Sequence, residues 1–198
     1  AFKMRSRRKI YKGLKAKYPY QYGPANRKFS LRTNSGIWIM SDRPLSVKGE
    51  VEFTECANDG CLARKGGLMV EGEHNGHIFQ IVGTHTNGNP QEVNRHQFRQ
   101  LYDELLKPNE DSATVQIICG DMNNSAFSYI YRNIKGDLSD CFEEAGLGFG
   151  QTYRFKYYPA RIDYIFADKR MKVKSFQSFS RFENSDHFPI MTRLAFAN

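Results

Sequence analysis

The chain has 198 residues, and no apolar run in it approaches the ~20 residues that a bilayer crossing needs. Its opening residues, Ala1-Phe2-Lys3-Met4-Arg5, are not followed by the apolar core of a signal peptide. The four cysteines, Cys56, Cys61, Cys119 and Cys141, form no CxxC pair and no zinc spacing, which sets aside thiolate metal sites and dithiol redox motifs. No internal repeat, low-complexity tract or linker interrupts the chain, so a single domain over residues 1–198 is expected. Acidic residues are missing from residues 1–32, which carry 11 of the 29 Lys and Arg; the remainder holds 18 against 21 Asp and Glu. The net charge of +8 is therefore a local, N-terminal property. Such a segment suits attraction to lipid headgroups or nucleic acid, or else forms the solvated face of one amphipathic helix. An initiator Met is also lacking, so the sequence is expected to begin partway through a longer protein.

Against these absences, the hydrophobic content of 40% and aromatic content of 14% are enough for a folded core with strands. The spacing predicts a helix over Lys3–Lys17, stopped at Tyr18-Pro19-Tyr20, and strands over Gly36–Met40 and Ser46–Phe53. Asn75-Gly76 between two apolar stretches predicts a hairpin of Gly67–Glu73 with His77–Gly83. Asn89 and Pro90 mark the start of a helix with Phe98, Leu101 and Leu105 on its apolar stripe. A buried strand over Val115–Cys119 follows, then a helix capped by Ser125 with Phe127, Ile130, Tyr131 and Ile134 inward. A short helix over Leu138–Ala145 ends at Gly146, and strands are expected near 161–166, 173–182 and 189–196. The alternation of elements predicts a mixed α/β fold. Cys56 and Cys61 flank a turn that can bring them within disulfide reach, and spacing leaves both a bridge and two free thiols open. A bridge would imply an oxidising compartment, and so a secreted or cell-envelope location.

Four short runs place polar groups at the ends or middles of apolar strands: Gly83-Thr84-His85, Gly120-Asp121-Met122-Asn123, Arg161-Ile162-Asp163-Tyr164 and Ser185-Asp186-His187-Phe188-Pro189. Asp121 and Asp186 are the candidate metal ligands, and hard carboxylate oxygens favour Mg²⁺ or Mn²⁺ over Zn²⁺. Asn123 offers a neutral amide that can donate to a phosphoryl oxygen. His187 is the candidate general base, and His85 the group that polarises the phosphate or protonates the leaving oxygen. Asp163, a carboxylate within an apolar strand, needs a partner: Arg161 in a structural reading, or His187, whose ring it would orient. His74, His77 and His96 are read as structural or solvated. The inventory points to water attack on a phosphate ester at a divalent metal.

In this order the four runs resemble the endonuclease/exonuclease/phosphatase superfamily, over nearly the whole chain. The resemblance implies a four-layer α/β sandwich of two mixed sheets packed face to face with flanking helices. It assigns Asp121 and Asn123 to phosphate and metal, His85 to a second catalytic imidazole, Asp163 to orienting His187, and Asp186 with His187 to the metal edge and the base. Tyr18-Pro19-Tyr20-Gln21 and the stretch from Lys65-Gly66-Gly67 to Gly83-Thr84-His85-Thr86 are similar to the neutral, bacterial-type sphingomyelinases. Those enzymes place a long aromatic hairpin before the Arg-Ile-Asp-Tyr strand, where this chain has only Phe155–Ala160. The family also carries a metal-binding Glu ahead of the segment that matches Ala1-Phe2, whereas no Glu here precedes Glu50. The expectation is an N-terminally incomplete domain of a Mg²⁺-dependent, sphingomyelinase-like phosphodiesterase, monomeric, acting on a phosphodiester such as a phospholipid headgroup. An endonuclease acting on DNA or RNA, a phosphatase of inositol phosphates or other phosphomonoesters, and a binding module without a working metal site stay open beside it.

Overall fold

The computed structural model describes residues 4–23, 37–57, 61, 65–109, 111 and 113–197. Lys3, Gly36 and the basic residues between Arg27 and Arg32 lie outside that set. Helix α1 covers Met4–Leu14, shorter than its sequence pattern, with Tyr11 and Leu14 exposed. Strands β1 (Tyr20–Tyr22) and β2 (Ile39–Ser41) pair antiparallel. β3 (Ser46–Glu52), β4 (Gly66–His74) and β5 (His77–His85) form a meander, with Asn75 and Gly76 at φ 52° and 79° in the tight turn. Both positive φ values are what a two-residue hairpin requires, and Asn-Gly adopts them at low cost.

Helix α2 (Gln91–Leu101) leads back to the sheet, widening into a π turn over Tyr102–Leu106 before β6 (Val115–Asp121). Its N-terminal cap is Pro90, with no side-chain bond, so Asn89 does not cap it; Pro90 is still extended, and the helix begins one residue later. Helix α3 (Tyr129–Lys135) is capped by Ser128, which accepts from the Tyr131 N–H, not by Ser125. Phe127, expected in its stripe, therefore precedes the helix and is 91% exposed, while Ile130, Tyr131 and Ile134 are buried as their spacing predicts. The expected helix from Leu138 opens instead as β7 (Ser139–Asp140), with Asp140 capping the single-turn α4 (Cys141–Ala145). β8 (Asp163–Ala167), β9 (Met171–Ser178) and β10 (Ile190–Phe196) complete the described elements.

Six strands form one mixed sheet in the order β3-β4-β5-β6-β8-β7, in which only the β5–β6 pair is parallel. On one face, Met69, Val82, Ile118, Tyr164 and Phe166 pack against Leu101, Leu105, Ile130 and Ile134 of the helices. On the other, Phe79, Ile117 and Ile165 meet Val173, Phe176, Leu194 and Phe196 of the antiparallel pair β9–β10. Ile37 and Ile39 lie over Gly83 on that same face. The α/β expectation holds: helices α2 and α3 cover one face, and the second layer is built among the described residues from two antiparallel pairs, β1–β2 and β9–β10, with the short helix α4 packed beside β9. None of the described helices is long and apolar enough to cross a membrane.

Arg161, the structural alternative as partner of Asp163, is engaged elsewhere. Strand β8 begins only at Asp163, so Arg161 is free of the pleat and turns to the helical face. There it pairs with Asp140, whose side chain is 1% exposed, and lies 4.6 Å over the Phe142 ring and 4.8 Å over Tyr164. The Tyr131 hydroxyl completes the cluster, 2.7 Å from Asp140 Oδ2 and 2.7 Å from Glu143 Oε1. Removing one partner of a buried pair strands the other's charge, so Arg161→Met is expected to lower unfolding free energy in urea by about 3 kcal/mol. Burial works to raise the Glu143 carboxyl, but bonds from Lys135 and Tyr131 outweigh it and hold it below its ordinary value. The bond from Arg170 does the same for Asp168. Both carboxylates are depressed in the folded state, so their contribution is present above the ordinary carboxylate range and is lost as pH falls through their lowered values. Urea midpoints measured from neutral pH downward should fall in that window.

Candidate active site

Three adjacent strands deliver three of the candidate side chains in one row. Cross-strand register pairs His85 with Asp121 and Asp121 with Asp163, and paired residues share a face, here the one turned to the β9–β10 layer. Gly120 makes this register attainable: at φ 140°, a Cβ on it would lie 1.9 Å from the Thr84 carbonyl oxygen, so only glycine fits. The connection from β9 to β10 then passes over the strand ends and supplies His187.

His187 Nδ1 lies 2.9 Å from Asp163 Oδ2, which answers the question of that carboxylate's partner. His187 Nε2 faces Asp121 Oδ2 at 3.9 Å, and His85 Nε2 approaches the same oxygen at 3.3 Å. The Asp121 Oδ1 atom accepts from the Asn123 N–H at 2.9 Å, an Asx turn that holds Asn123 at φ 50°. The Asn123 side chain donates to the Thr86 carbonyl at 2.8 Å. Thus the side chains of His85, Asp121, Asn123, Asp163 and His187 lie together in space.

Asp186 does not join them. Its side chain is exposed, with Ser185 Oγ at 3.4 Å from Oδ1, while its backbone carbonyl accepts from the Arg154 N–H at 2.7 Å. Neighbours in an extended bridge point to opposite sides, so with His187 turned inward Asp186 turns outward. Among the described residues, the close group that could hold a metal is Asp121, Asp163 and His187, whose ligand atoms lie within 4.8 Å of one another.

Three participants escaped the sequence reading. Thr152, fully buried, accepts from the N–H groups of Ile162 and Asp163 at 3.0 and 3.1 Å and so fixes the start of β8. Tyr153 bridges to both Ala160 and His187, and its ring lies 4.9 Å from the His187 ring. Lys65 donates to the Thr86 carbonyl at 2.8 Å; burial lowers its pKa, against the pull of Asp121. Only Lys65 carried any signal in the sequence, as part of the Lys65-Gly66-Gly67 run; Thr152 and Tyr153 sit in no motif.

The bond to Asp163 raises the His187 pKa, against burial, and the charges of Asp163, Asp121 and Asp186 add to the rise. Burial pushes the Asp163 carboxyl up, with Asp121 acting the same way and the His187 bond opposing. Two carboxylates directly opposite on neighbouring strands repel unless positive charge lies between them. An oxygen-rich pair is also what a hard divalent cation takes, filling its remaining positions with water or a phosphate. The residues present therefore fit such an ion. Chemically, the arrangement offers an oriented imidazole, a second imidazole, an amide and a carboxylate facing one cleft.

The profile of the Endonuclease/Exonuclease/phosphatase family matches residues 2–187. A curated relative, sphingomyelinase C of Leptospira interrogans, is 25% identical over 237 residues; the match takes in 96% of this chain but 42% of that protein. The chain thus spans less than half the length of that relative. A variant of beta toxin from Staphylococcus aureus with bound magnesium ions has a TM-score of 0.69 at 20% identity, covering 96% of this chain and 82% of its own. A mannosyl-6-phosphatase of Bacteroides thetaiotaomicron reaches a TM-score of 0.66 at 16% identity, with 93% of this chain and 80% of its own covered.

The Asp163–His187 bond makes its own prediction. In chelator-treated buffer, the His187 ring should titrate above the ordinary histidine value, and Asp163→Asn should lower that midpoint, because its largest upward cause is gone. NMR of the ring protons reads both, and an unchanged midpoint would mean that the bond does not form in solution.

Proposed function

Since the chain belongs to the Endonuclease/Exonuclease/phosphatase family, we propose that it hydrolyses phosphate diesters in a Mg²⁺- or Mn²⁺-dependent reaction, with a sphingomyelinase-like preference for a phospholipid headgroup. The observation that carries this reading is the imidazole of His187, bonded through Nδ1 to Asp163 with Nε2 open to Asp121. Asp163 fixes the ring orientation and stabilises the imidazolium that forms when Nε2 takes a proton from the attacking water. His85, on the other side of the Asp121 carboxylate, donates to a phosphoryl oxygen or returns a proton to the leaving oxygen. The Asn123 side-chain amide, held by its bond to the Thr86 carbonyl and by the backbone bond from Asn123 N–H to Asp121, adds a neutral donor where charge builds. Asp121 would hold the metal, with Asp163 and His187 close beside it. A bound Mg²⁺ supplies Lewis-acid polarisation of the phosphate.

What supports a lipid substrate is the segment that follows Tyr153. Phe155 is 40% exposed, Tyr157 77% and Tyr158 60%, with Arg154 and Lys156 among them. Aromatic rings with neighbouring cations suit the headgroup region of an anionic or zwitterionic surface. The same pairing of rings and cations can stack bases, which gives the nuclease alternative a specific observation too. The Cys56–Cys61 disulfide supports an oxidising, extracellular or cell-envelope setting. A monomer suffices, since every group of the proposed site comes from one chain.

Full-length protein with Mg²⁺ should release phosphocholine from sphingomyelin liposomes, and His187→Ala or Asp121→Ala should each reduce turnover about 10³-fold without loss of folding. Plasmid nicking without phosphocholine release would replace the lipid reading with the nuclease one. Release of phosphate from an inositol phosphate alone would make it a phosphatase. Near-normal turnover in either variant would remove the assigned roles.

A further inference from the structure

Helix α2 rests on the sheet with Leu101 buried, yet it also buries two amides completely, Asn94 and Gln97. An amide in such a place costs free energy unless its bonds are made, and a leucine would pack there more cheaply. Those bonds lead to the candidate site. Asn94 Nδ2 lies 3.1 Å from Thr86 Oγ1 and 3.1 Å from the Met122 carbonyl, and also meets the Asn87 carbonyl. One turn on, Gln97 Oε1 accepts the Asn87 N–H at 2.8 Å, while Nε2 donates to the Glu55 carbonyl at 2.7 Å and to Asn87 Oδ1 at 3.0 Å.

Thr86 directly follows His85, and Met122 sits between Asp121 and Asn123. The two loops are already tied to each other, Thr86 N–H to the Asp121 carbonyl at 3.0 Å and Thr86 Oγ1 to the Met122 carbonyl at 2.7 Å. The helix amides fasten this tied unit from below. Asn94 Oδ1 is buried with no partner among the described residues.

We infer that Asn94 and Gln97 are positioning residues, which hold the His85 imidazole and the Asn123 amide in register with Asp121 by clamping residues 86–87 and 122. This rests on the roles given to His85 and Asn123 in phosphate-ester cleavage. Neither amide touches the cleft; each acts through the backbone of the loop it holds. A displacement of about an ångström at a catalytic group is enough to lower turnover by one to two orders of magnitude.

The test uses full-length protein, Mg²⁺ and sphingomyelin liposomes, with Gln97→Met and Asn94→Leu made singly and Gln97→Met repeated in a His85→Ala background. Each single variant should lose about tenfold or more in kcat with KM within about twofold, while its circular dichroism spectrum stays native. In the His85→Ala background, Gln97→Met should cost clearly less of the residual kcat than it does in the unmutated protein, because the imidazole it holds has gone and only its hold on Asn123 remains. Independently of turnover, Gln97→Met should speed hydrogen exchange at the Asn87 N–H and shift the His85 ring resonances, and Asn94→Leu should shift those of the Asn123 side-chain amide. Equal losses of kcat in both backgrounds, or unmoved His85 and Asn123 resonances, would overturn the inference and leave the amides as packing groups. Should the unmutated protein cleave no phosphate ester, the functional reading fails, and the resonance and exchange measurements still decide whether the clamp exists.

Discussion

Asp121 and Asp163 stand directly opposite each other on β6 and β8, and the register that puts them there governs everything around them. A facing pair of carboxylates in a sheet is a standing electrostatic debt. Protein groups offset part of it: His187 bonds Asp163, and both His85 and His187 present Nε2 to the same oxygen of Asp121. The remainder is the physical reason to expect a cation or a cation-bound phosphate there. A fold stabilised for its own sake would place a neutral pair at that position.

The surrounding structure reads as support for that row. The glycine at 120 brings β6 close enough to Thr84 to set His85 beside Asp121, and the Thr152 hydroxyl takes two N–H groups at the point where β8 begins. Residues 152–154 then pair with the segment around His187: the Phe188 N–H bonds the Thr152 carbonyl and the Arg154 N–H bonds the Asp186 carbonyl, each at 2.7 Å. The loop that carries the His187 imidazole is thereby stitched to the same short bridge that fixes Asp163. Arg161 belongs to a different economy, a buried ion pair and aromatic sandwich on the helical face, which stabilises the sheet's edge without entering the cleft.

Much of this was legible in the residues themselves, for a physical reason. Strand ends are where an apolar run stops and a polar group begins, so His85, Asp121 and His187 announce themselves by contrast with their neighbours. The hairpin at Asn75-Gly76 was equally plain, because few other dipeptides adopt two positive φ values. Asp163 was ambiguous because alternation places Arg161 on its face, and only the late start of β8 removes that neighbour. Two serines, Ser125 and Ser128, can each cap a helix, and local sequence does not choose between them; the choice decides whether Phe127 is packed or exposed. Asp186 looked equivalent to Asp121 because each follows apolar or small residues at a strand edge, yet the alternation that turns His187 in turns Asp186 out. Asn94 and Gln97 were invisible, since polar residues on an amphipathic helix are ordinarily assigned to its solvent side.

The account stands most directly on whether the paired carboxylates collect a divalent cation. Anomalous diffraction from crystals of the full-length protein soaked in Mn²⁺ decides it. A single strong peak within coordination distance of an Asp121 oxygen, with the His187 ring still bonded to Asp163, is the predicted result. A site without metal at saturating Mn²⁺, or a His187 ring turned away from Asp121 and Asp163, would contradict it.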